Sequence, residues 1–234
     1  MSVPNTSHST VARPNVLIVD DHDLVAMSLA LALRAQGLPA HRHAARSRDG
    51  ILTAAAALAP GVVLLDLDLG RGPDGAVLDG ATLVDRFCRT GWRVIVLSAT
   101  TDETRIGHAL AAGALACVPK TAPLSGLLTA IRGATHGVAV MHPERRRHLI
   151  AQYHLQQEQA LAVERRLGRL SERERAVLDH LAKGHRAQSI SEEFGVSLAT
   201  VRSQIRAVLQ KLNVSGQLEA VALLHDYRRT ADDG

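Results

Sequence analysis

GVVLLDLDLG, residues 61–70, decides how the rest of the chain is read. The apolar run Val62 to Leu65 ends abruptly in Asp66-Leu67-Asp68-Leu69-Gly70. This predicts a fully buried strand whose C-terminal tip delivers carboxylates into a loop. A buried parallel strand charged only at its carboxyl end is where open α/β sheets place their chemistry.

The same pattern recurs on both sides. Upstream, Val16 to Val19 reads as a short buried strand followed by Asp20-Asp21-His22-Asp23, and an Ala/Leu-rich helical pattern runs to Gln36 and stops at Gly37. A weak strand at Ala40 to His43 and a helix from about Ser47 to Leu58 lead into the 61–65 strand. Beyond it come a helix over Gly80 to Arg89, a strand over Arg93 to Leu97, a helix over Asp102 to Ala112, a strand over Leu115 to Val118 and a helix over Pro123 to Thr135. Five strands alternating with five helices predict a doubly wound five-stranded parallel α/β sheet.

The carboxyl ends of those strands carry Asp20 and Asp21, Asp66, Ser98 and Lys120. A parallel sheet gathers these ends on one edge, so three carboxylates, a hydroxyl and an amine would share a cleft. Carboxylates so close repel one another unless a hard cation joins them, and an oxygen-rich cluster suits Mg²⁺. A carboxylate beside a metal and an ammonium is equipped to accept a phosphoryl group, because the cations neutralise charge developing on the phosphoryl oxygens.

Beyond about Met141 no strand signal remains. Leu149, Tyr153, Gln156, Ala160, Val163, Leu167 and Leu170 alternate four and three apart, a heptad seam that predicts a long helix. That helix is either packed on one of the domains or paired in a dimeric coiled coil. From Leu170 the chain breaks into four helical pieces. Ser171 with Glu174 forms a capping-box signature, Gly184 ends the first piece, and Gly195 closes the second. The third, Ser197 to Leu212, has Val201, Ile205, Val208 and Leu212 on its apolar stripe and Arg202, Ser203, Arg206 and Gln210 opposite. The fourth runs from Gly216 to about Tyr227. Two helices joined by a tight turn, the second with a basic polar face, form a helix-turn-helix pattern.

Charge supports that division. Arg165 to Arg229 holds 12 Lys/Arg against 7 Asp/Glu, a net of +5, while the whole chain of 234 residues is +4. The basic end is therefore the one suited to nucleic acid. Cys88 and Cys117 lack metal-ligand spacing and are expected to be reduced thiols, and the 12 histidines show no cluster with a carboxylate or thiol at such spacing. No stretch has the length and apolar purity of a membrane span, and the start of the chain lacks an apolar signal region, so the expectation is a cytoplasmic protein without a membrane partner.

The motifs VLIVDDHD, VVLLDLDL, VIVLSAT and Val118-Pro119-Lys120, followed by LSERERAVLDHLAKG, ISEEFGVSLATVRSQIRAVLQKLNV and the closing AVAL, resemble two-component response regulators of the NarL/LuxR type. The likeness covers Asn15 to Tyr227. It implies a flavodoxin-like receiver over 15–137, a helical linker over 138–168 and a LuxR-type DNA-binding domain over 169–229, flanked by a disordered tail over 1–14 and a short tail over 230–234. It further implies that Asp66 is phosphorylated by a sensor histidine kinase, with Asp20, Asp21, Asp66 and the backbone carbonyl of Asp68 arranging Mg²⁺. Lys120 would pair with the phosphoryl oxygens, and Ser98 would be the switch hydroxyl.

In the C-terminal half the resemblance sends the 197–212 helix into the major groove of promoter DNA. Arg202, Ser203 and Arg206 match the DNA-facing positions, and Thr200 and Lys211 suit backbone phosphates. A homodimer is expected, joined through the last helix, with RNA polymerase a further partner. The chain departs from the family in three places. Cys117 holds the position of the aromatic switch residue, Gly70 replaces the family's proline, and Arg71 to Leu78 inserts a Gly-rich loop expected to be mobile. The linker seam is also longer than the family's pattern. These departures leave room for a phosphorylation-independent transcription factor. From another class, Asp66-Leu67-Asp68 with Ser98 and Lys120 also resembles a haloacid-dehalogenase-type phosphatase, whose acidic metal pair, however, follows the lysine.

Overall fold

The computed structural model describes residues 13–44, 47–73, 75–99 and 101–232. Most of the expected disordered tail, position 74 of the inserted loop, Thr100 of the VIVLSAT motif and the last two residues lie outside the described residues. The chain divides into two compact units, residues 1–153 and 154–234.

The first unit is built on five parallel strands in the order β2-β1-β3-β6-β7. They are β1 (Val16–Asp20), β2 (Ala40–Ala44), β3 (Val62–Asp66), β6 (Arg93–Ser98) and β7 (Ala116–Pro119). A separate antiparallel pair, β4 (Asp68–Arg71) and β5 (Val77–Asp79), follows β3 directly. Val62 to Leu65 are wholly buried because both sheet faces are covered. Val63 and Leu65 join Leu17, Val19, Val94 and Val96 on one face, against Ile51 of α2 (Arg48–Ala56), Phe87 of α3 (Val84–Arg89) and Leu110 of α4 (Glu103–Ala111). Val62 and Leu64 face the other way with Val16, Ile18 and Ile95, against Leu33 of α1 (Asp23–Ala35) and Leu127 and Ile131 of α5 (Leu124–His136). Each such side chain taken from water contributes about 1.5–3 kcal/mol, so β3 is held from both sides and its tip is fixed in place.

Local signals set the helix starts. Ser47 Oγ accepts from Gly50 N at 3.1 Å, and Asp102 Oδ1 accepts from Thr104 N at 2.9 Å. The helix expected over Gly80 to Arg89 begins instead as a 3-10 turn over Gly80–Leu83 before α3, because Asp79 caps it tightly, its Oδ1 accepting from Ala81 N at 3.1 Å.

The inserted stretch is more ordered at its ends than a plain loop: β4 and β5 pair as a hairpin around it, with Asp68 opposite Asp79 and Arg71 opposite Val77. The guanidinium of Arg105 on α4 donates to Leu67 O at 2.7 Å and to Asp79 Oδ1 at 3.0 Å, tying both ends of the hairpin down. Gly70, in the left-handed region at φ +70°, stands where proline cannot, since the ring locks φ near −65°.

Helix α6 (Pro143–Gly168) is the long helix foreseen, and its residues divide between the units. In the first unit Leu149 is buried, Arg146 donates to Leu110 O at 3.0 Å, and Tyr153 stacks on His108 at 5.0 Å. A side chain at Gly107 would begin 2.4 Å from Leu149 O, so the glycine lets α4 and α6 approach. Leu167 is buried in the second unit, while Gln156 and Ala160 between them are exposed. The heptad seam is thus not one continuous buried stripe.

The second unit contains α7 (Glu172–Ala182), α8 (Ala187–Phe194), α9 (Leu198–Leu212) and α10 (Gln217–Asp232). Leu178, Val208, Leu212, Ala220 and Leu224 close one cluster, and Val177, Ile190, Val201 and Ile205 a second. The capping box is present: Glu174 N donates to Ser171 Oγ and Ser171 N to the Glu174 carboxylate. Helix α10 runs to Asp232, past the expected start of a tail at 230, because no glycine or proline interrupts it before Gly234. Among the described residues no helix is long and apolar enough to cross a membrane.

Candidate functional sites: an acidic strand-end cleft and a basic helix face

β1 and β3 are adjacent and parallel, so their tips bring Asp20 and Asp66 together. Both are almost fully buried, at 1% and 3% exposure. Lys120, one residue beyond β7, reaches back between them, its Nζ 2.6 Å from Asp66 Oδ2 and 2.8 Å from Asp20 Oδ2. The second contact is an ion pair without hydrogen-bond geometry, so the buried Asp20 Oδ2 accepts no hydrogen bond and has its charge only partly matched. Asp66 Oδ1 accepts from Asp68 N at 3.2 Å. Buried Ser98 ends β6, and its carbonyl accepts the Lys120 N–H at 3.0 Å, which fixes the root of the lysine.

The electrostatics follow from burial and pairing. Burial pushes the Asp66 carboxyl above its ordinary range, and the Lys120 hydrogen bond and the Asp68 N–H only partly offset it. For Lys120 burial acts to lower the pKa, but the contacts with Asp20 and Asp66 prevail and hold the ammonium charged. The result is a carboxylate kept in place by a single ammonium.

Asp20, Asp21, His22 and Asp66 offer ligand atoms within 4.8 Å of one another. The oxygen-rich set, with a buried Asp20 Oδ2 that accepts no hydrogen bond, fits a hard divalent cation such as Mg²⁺. Asp68 directs its side chain toward solvent and lies at the start of β4. Three participants escape a reading by strand ends alone. His22 Nδ1 lies 2.6 Å from Asp21 Oδ1, and Arg105 and Asp79 brace the hairpin beside β3. The contiguous Asp-Asp-His triplet was a signal for the first; Arg105 and Asp79 lie too far apart in sequence to announce their contact.

Cys117 stands on β7 beside Val96 and packs on the core, and burial raises its thiol pKa to about 11. It is therefore a neutral, half-buried group where the resemblance expects an aromatic ring.

On α9 the spacing separates two faces. Val201, Ile205, Val208 and Leu212 are buried, while Arg202, Ser203 and Arg206 are exposed. Arg202 and Arg206, four residues apart, project from the same side. Exposed Thr200 sits in the first turn, its hydroxyl 2.8 Å from Ser197 Oγ, which also caps the helix. Lys211 is not a free cation: its Nζ lies 2.6 Å from Glu174 Oε2, so the ammonium is shared with the α7 capping box.

Comparison with known proteins agrees with this two-part layout. Residues 16–132 match the response regulator receiver domain, and residues 169–224 match the bacterial regulatory proteins of the luxR family. The chain is 30% identical to the transcriptional regulatory protein LiaR of Bacillus subtilis over 213 residues, covering 90% of this chain and 96% of LiaR. It is 26% identical to the oxygen regulatory protein NreC of Staphylococcus carnosus, covering 88% of this chain and 94% of NreC. Among solved structures, the RcsB response regulator of Salmonella typhimurium aligns at 22% identity and a TM-score of 0.49, over 91% of this chain and 98% of that one.

Proposed function

Because the chain belongs to the response regulators that join a receiver domain to a luxR-type DNA-binding domain, we propose that Asp66 accepts a phosphoryl group from a sensor histidine kinase. The observation that carries this reading is the buried Asp66 carboxylate with the Lys120 ammonium 2.6 Å away, on the edge that also holds Asp20 and Asp21. An Asp66 oxygen forms the new O–P bond as the donor's P–N bond breaks. Lys120 moves its charge from the carboxylate to the phosphoryl oxygens, and Ser98 is the hydroxyl positioned to follow. Asp20, Asp21, Asp66 and the Asp68 carbonyl would hold Mg²⁺, which when bound would supply positive charge to the phosphoryl oxygens.

The output is control of transcription in the cytoplasm. Phosphorylation favours a homodimer that occupies two promoter half-sites, gaining affinity because the second contact is intramolecular. Within each recognition helix, Arg202, Ser203 and Arg206 face base edges, and Thr200 contacts phosphate. Lys211 reaches phosphate only by leaving Glu174. RNA polymerase is the downstream partner. Domain limits of 15–137, 138–168 and 169–229 suit this division of labour. The family is one of transcription regulators, not enzymes, which displaces the phosphatase reading.

The test is incubation of the full chain with acetyl phosphate and Mg²⁺, followed by mass spectrometry, sedimentation and gel shift on promoter DNA. The expected result is a mass gain of one phosphoryl group, absent in Asp66→Asn, together with dimerisation and tighter DNA binding. DNA binding without any mass gain would replace this mechanism by the phosphorylation-independent one, to which Cys117 and the hairpin would then belong.

A further inference from the structure

A second convergence of metal-capable side chains lies in the C-terminal unit, far in sequence from the acidic cleft. His180 is on the last turn of α7, His185 follows the turn at Gly184, and Glu193 is near the end of α8. His180 Nδ1 lies 2.9 Å from His185 Nδ1, and Glu193 Oε2 lies 3.3 Å and 3.8 Å from those two atoms. We infer that His180, His185 and Glu193 form a binding site for one divalent transition-metal ion, Zn²⁺ by its donor set, that staples α7 to α8.

The backbone builds the histidine pair. Gly184 is left-handed at φ +84°, His185 N donates to His180 O at 3.0 Å, and Gly184 N donates to Leu181 O at 2.9 Å. This is the Schellman closure, which commonly sets an apolar contact between the residue after the glycine and one in the helix's last turn. Here the two partners are imidazoles, their rings tilted by 47° with centroids 5.0 Å apart, and the backbone closure brings them together independently of any bond between the rings.

The geometry suits a tetrahedral ion. Zn²⁺ with bonds of about 2.0–2.1 Å sets neighbouring donors about 3.3–3.4 Å apart, and the three distances bracket that value. Two imidazole nitrogens and one carboxylate oxygen favour zinc over magnesium or calcium, and three protein ligands leave a position for water. With each neutral imidazole holding its proton on Nε2, both Nδ1 lone pairs and the Glu193 carboxylate converge on one point, and a single metal ion there satisfies all three.

The ligands are also supported and accessible. The His180 side chain is only 14% exposed, and its ring meets Phe194 edge-on at 5.0 Å, while the Arg173 guanidinium lies 3.8 Å over the Phe194 ring. His185 and Glu193 are 41% and 53% exposed, so an ion enters from solvent onto one fixed ligand and two reachable ones. Because α8 and α9 are the paired helices of the helix-turn-helix, the ion would fix the first of them to the helix before it.

The test uses untagged full-length protein saturated with Mg²⁺, so that the acidic cleft is already filled. Zn²⁺ affinity is measured by competition with a chromogenic chelator, and Co²⁺ replaces it to report coordination by visible absorption. A single ion per chain and the visible bands of four-coordinate Co²⁺ are expected. His185→Ala and the near-isosteric Glu193→Gln, each checked for native circular dichroism, should weaken binding more than about tenfold and lose the Co²⁺ bands. Unchanged affinity in both variants, or histidines that titrate with protons while taking up no metal, would overturn the assignment.

Discussion

The Lys120 ammonium lies 2.6 Å from the Asp66 carboxylate, and the two residues come together across 54 positions of sequence. Since Asp20 approaches the same ammonium from the neighbouring strand tip, one cation holds two buried anions. Lys120→Ala would leave both carboxylates without it, a loss of about 3–5 kcal/mol for an uncompensated buried charge. Millimolar Mg²⁺ should restore part of that stability. Urea unfolding followed by the fluorescence of Trp92, the single tryptophan and a buried residue of this unit, reads the change. Equal midpoints for the variant and the parent in the absence of Mg²⁺ would contradict it.

Arg105 holds the hairpin at the end of β3 through Leu67 O and Asp79. Arg105→Ala should cost about 1.5–3 kcal/mol, the usual worth of hydrogen bonds to a charged group. Amide hydrogen exchange over residues 68–79 should accelerate while β1 and β6 stay protected. Gly80→Ala is expected to disturb the same region by another route, because the added Cβ would begin 2.0 Å from Asp66 O.

Two of the three basic positions of α9, Arg206 and Lys211, should separate by readout. Arg206→Ala should lower affinity for promoter DNA by about 1–3 kcal/mol and relax preference at one base position. Equal losses on promoter and random DNA would make Arg206 a phosphate contact instead. Lys211→Ala acts first on stability, through its partner Glu174. A double-mutant cycle with Glu174→Gln should give a coupling of about 0.2–1 kcal/mol, small because the lysine is partly exposed.

Acid should expose the same pair. The hydrogen bond from Lys211, and after it those from Ser171, hold the Glu174 carboxyl below its ordinary 4.5 despite some burial. A depressed folded value means that this contribution is present above pH 4.5 and is lost as pH falls through the folded value. Thermal melts of the parent should therefore show a destabilising acid limb in that window, reduced in Glu174→Gln. Identical limbs would remove Glu174 as the cause.

The strands were legible because a parallel sheet covered on both faces demands unbroken apolar runs, and Val62 to Leu65 and Val16 to Val19 supply them. Helix α9 was legible through the spacing of Val201, Ile205, Val208 and Leu212. The hairpin after Asp66 was not, since four glycine and proline positions between 70 and 75 look like a loop while the restraint comes from Arg105. The heptad seam of α6 announced the long helix but not its burial: Leu149 and Leu167 share a helical stripe, yet each is buried in a different unit.

By itself the sequence determined the order of strands and helices, the carboxylates at the strand tips and the two faces of α9, because each depends on neighbours a few residues apart. It also placed Lys120 in one cleft with Asp66. Tertiary structure alone decided the pairs that no strand-end pattern announces: Arg105 meets Asp79, Lys211 turns to Glu174, and His180 and His185 converge with Glu193. The physical reason is that local periodicity fixes which way a side chain points, whereas pairing depends on where the packing of distant apolar faces sets the backbones that carry it.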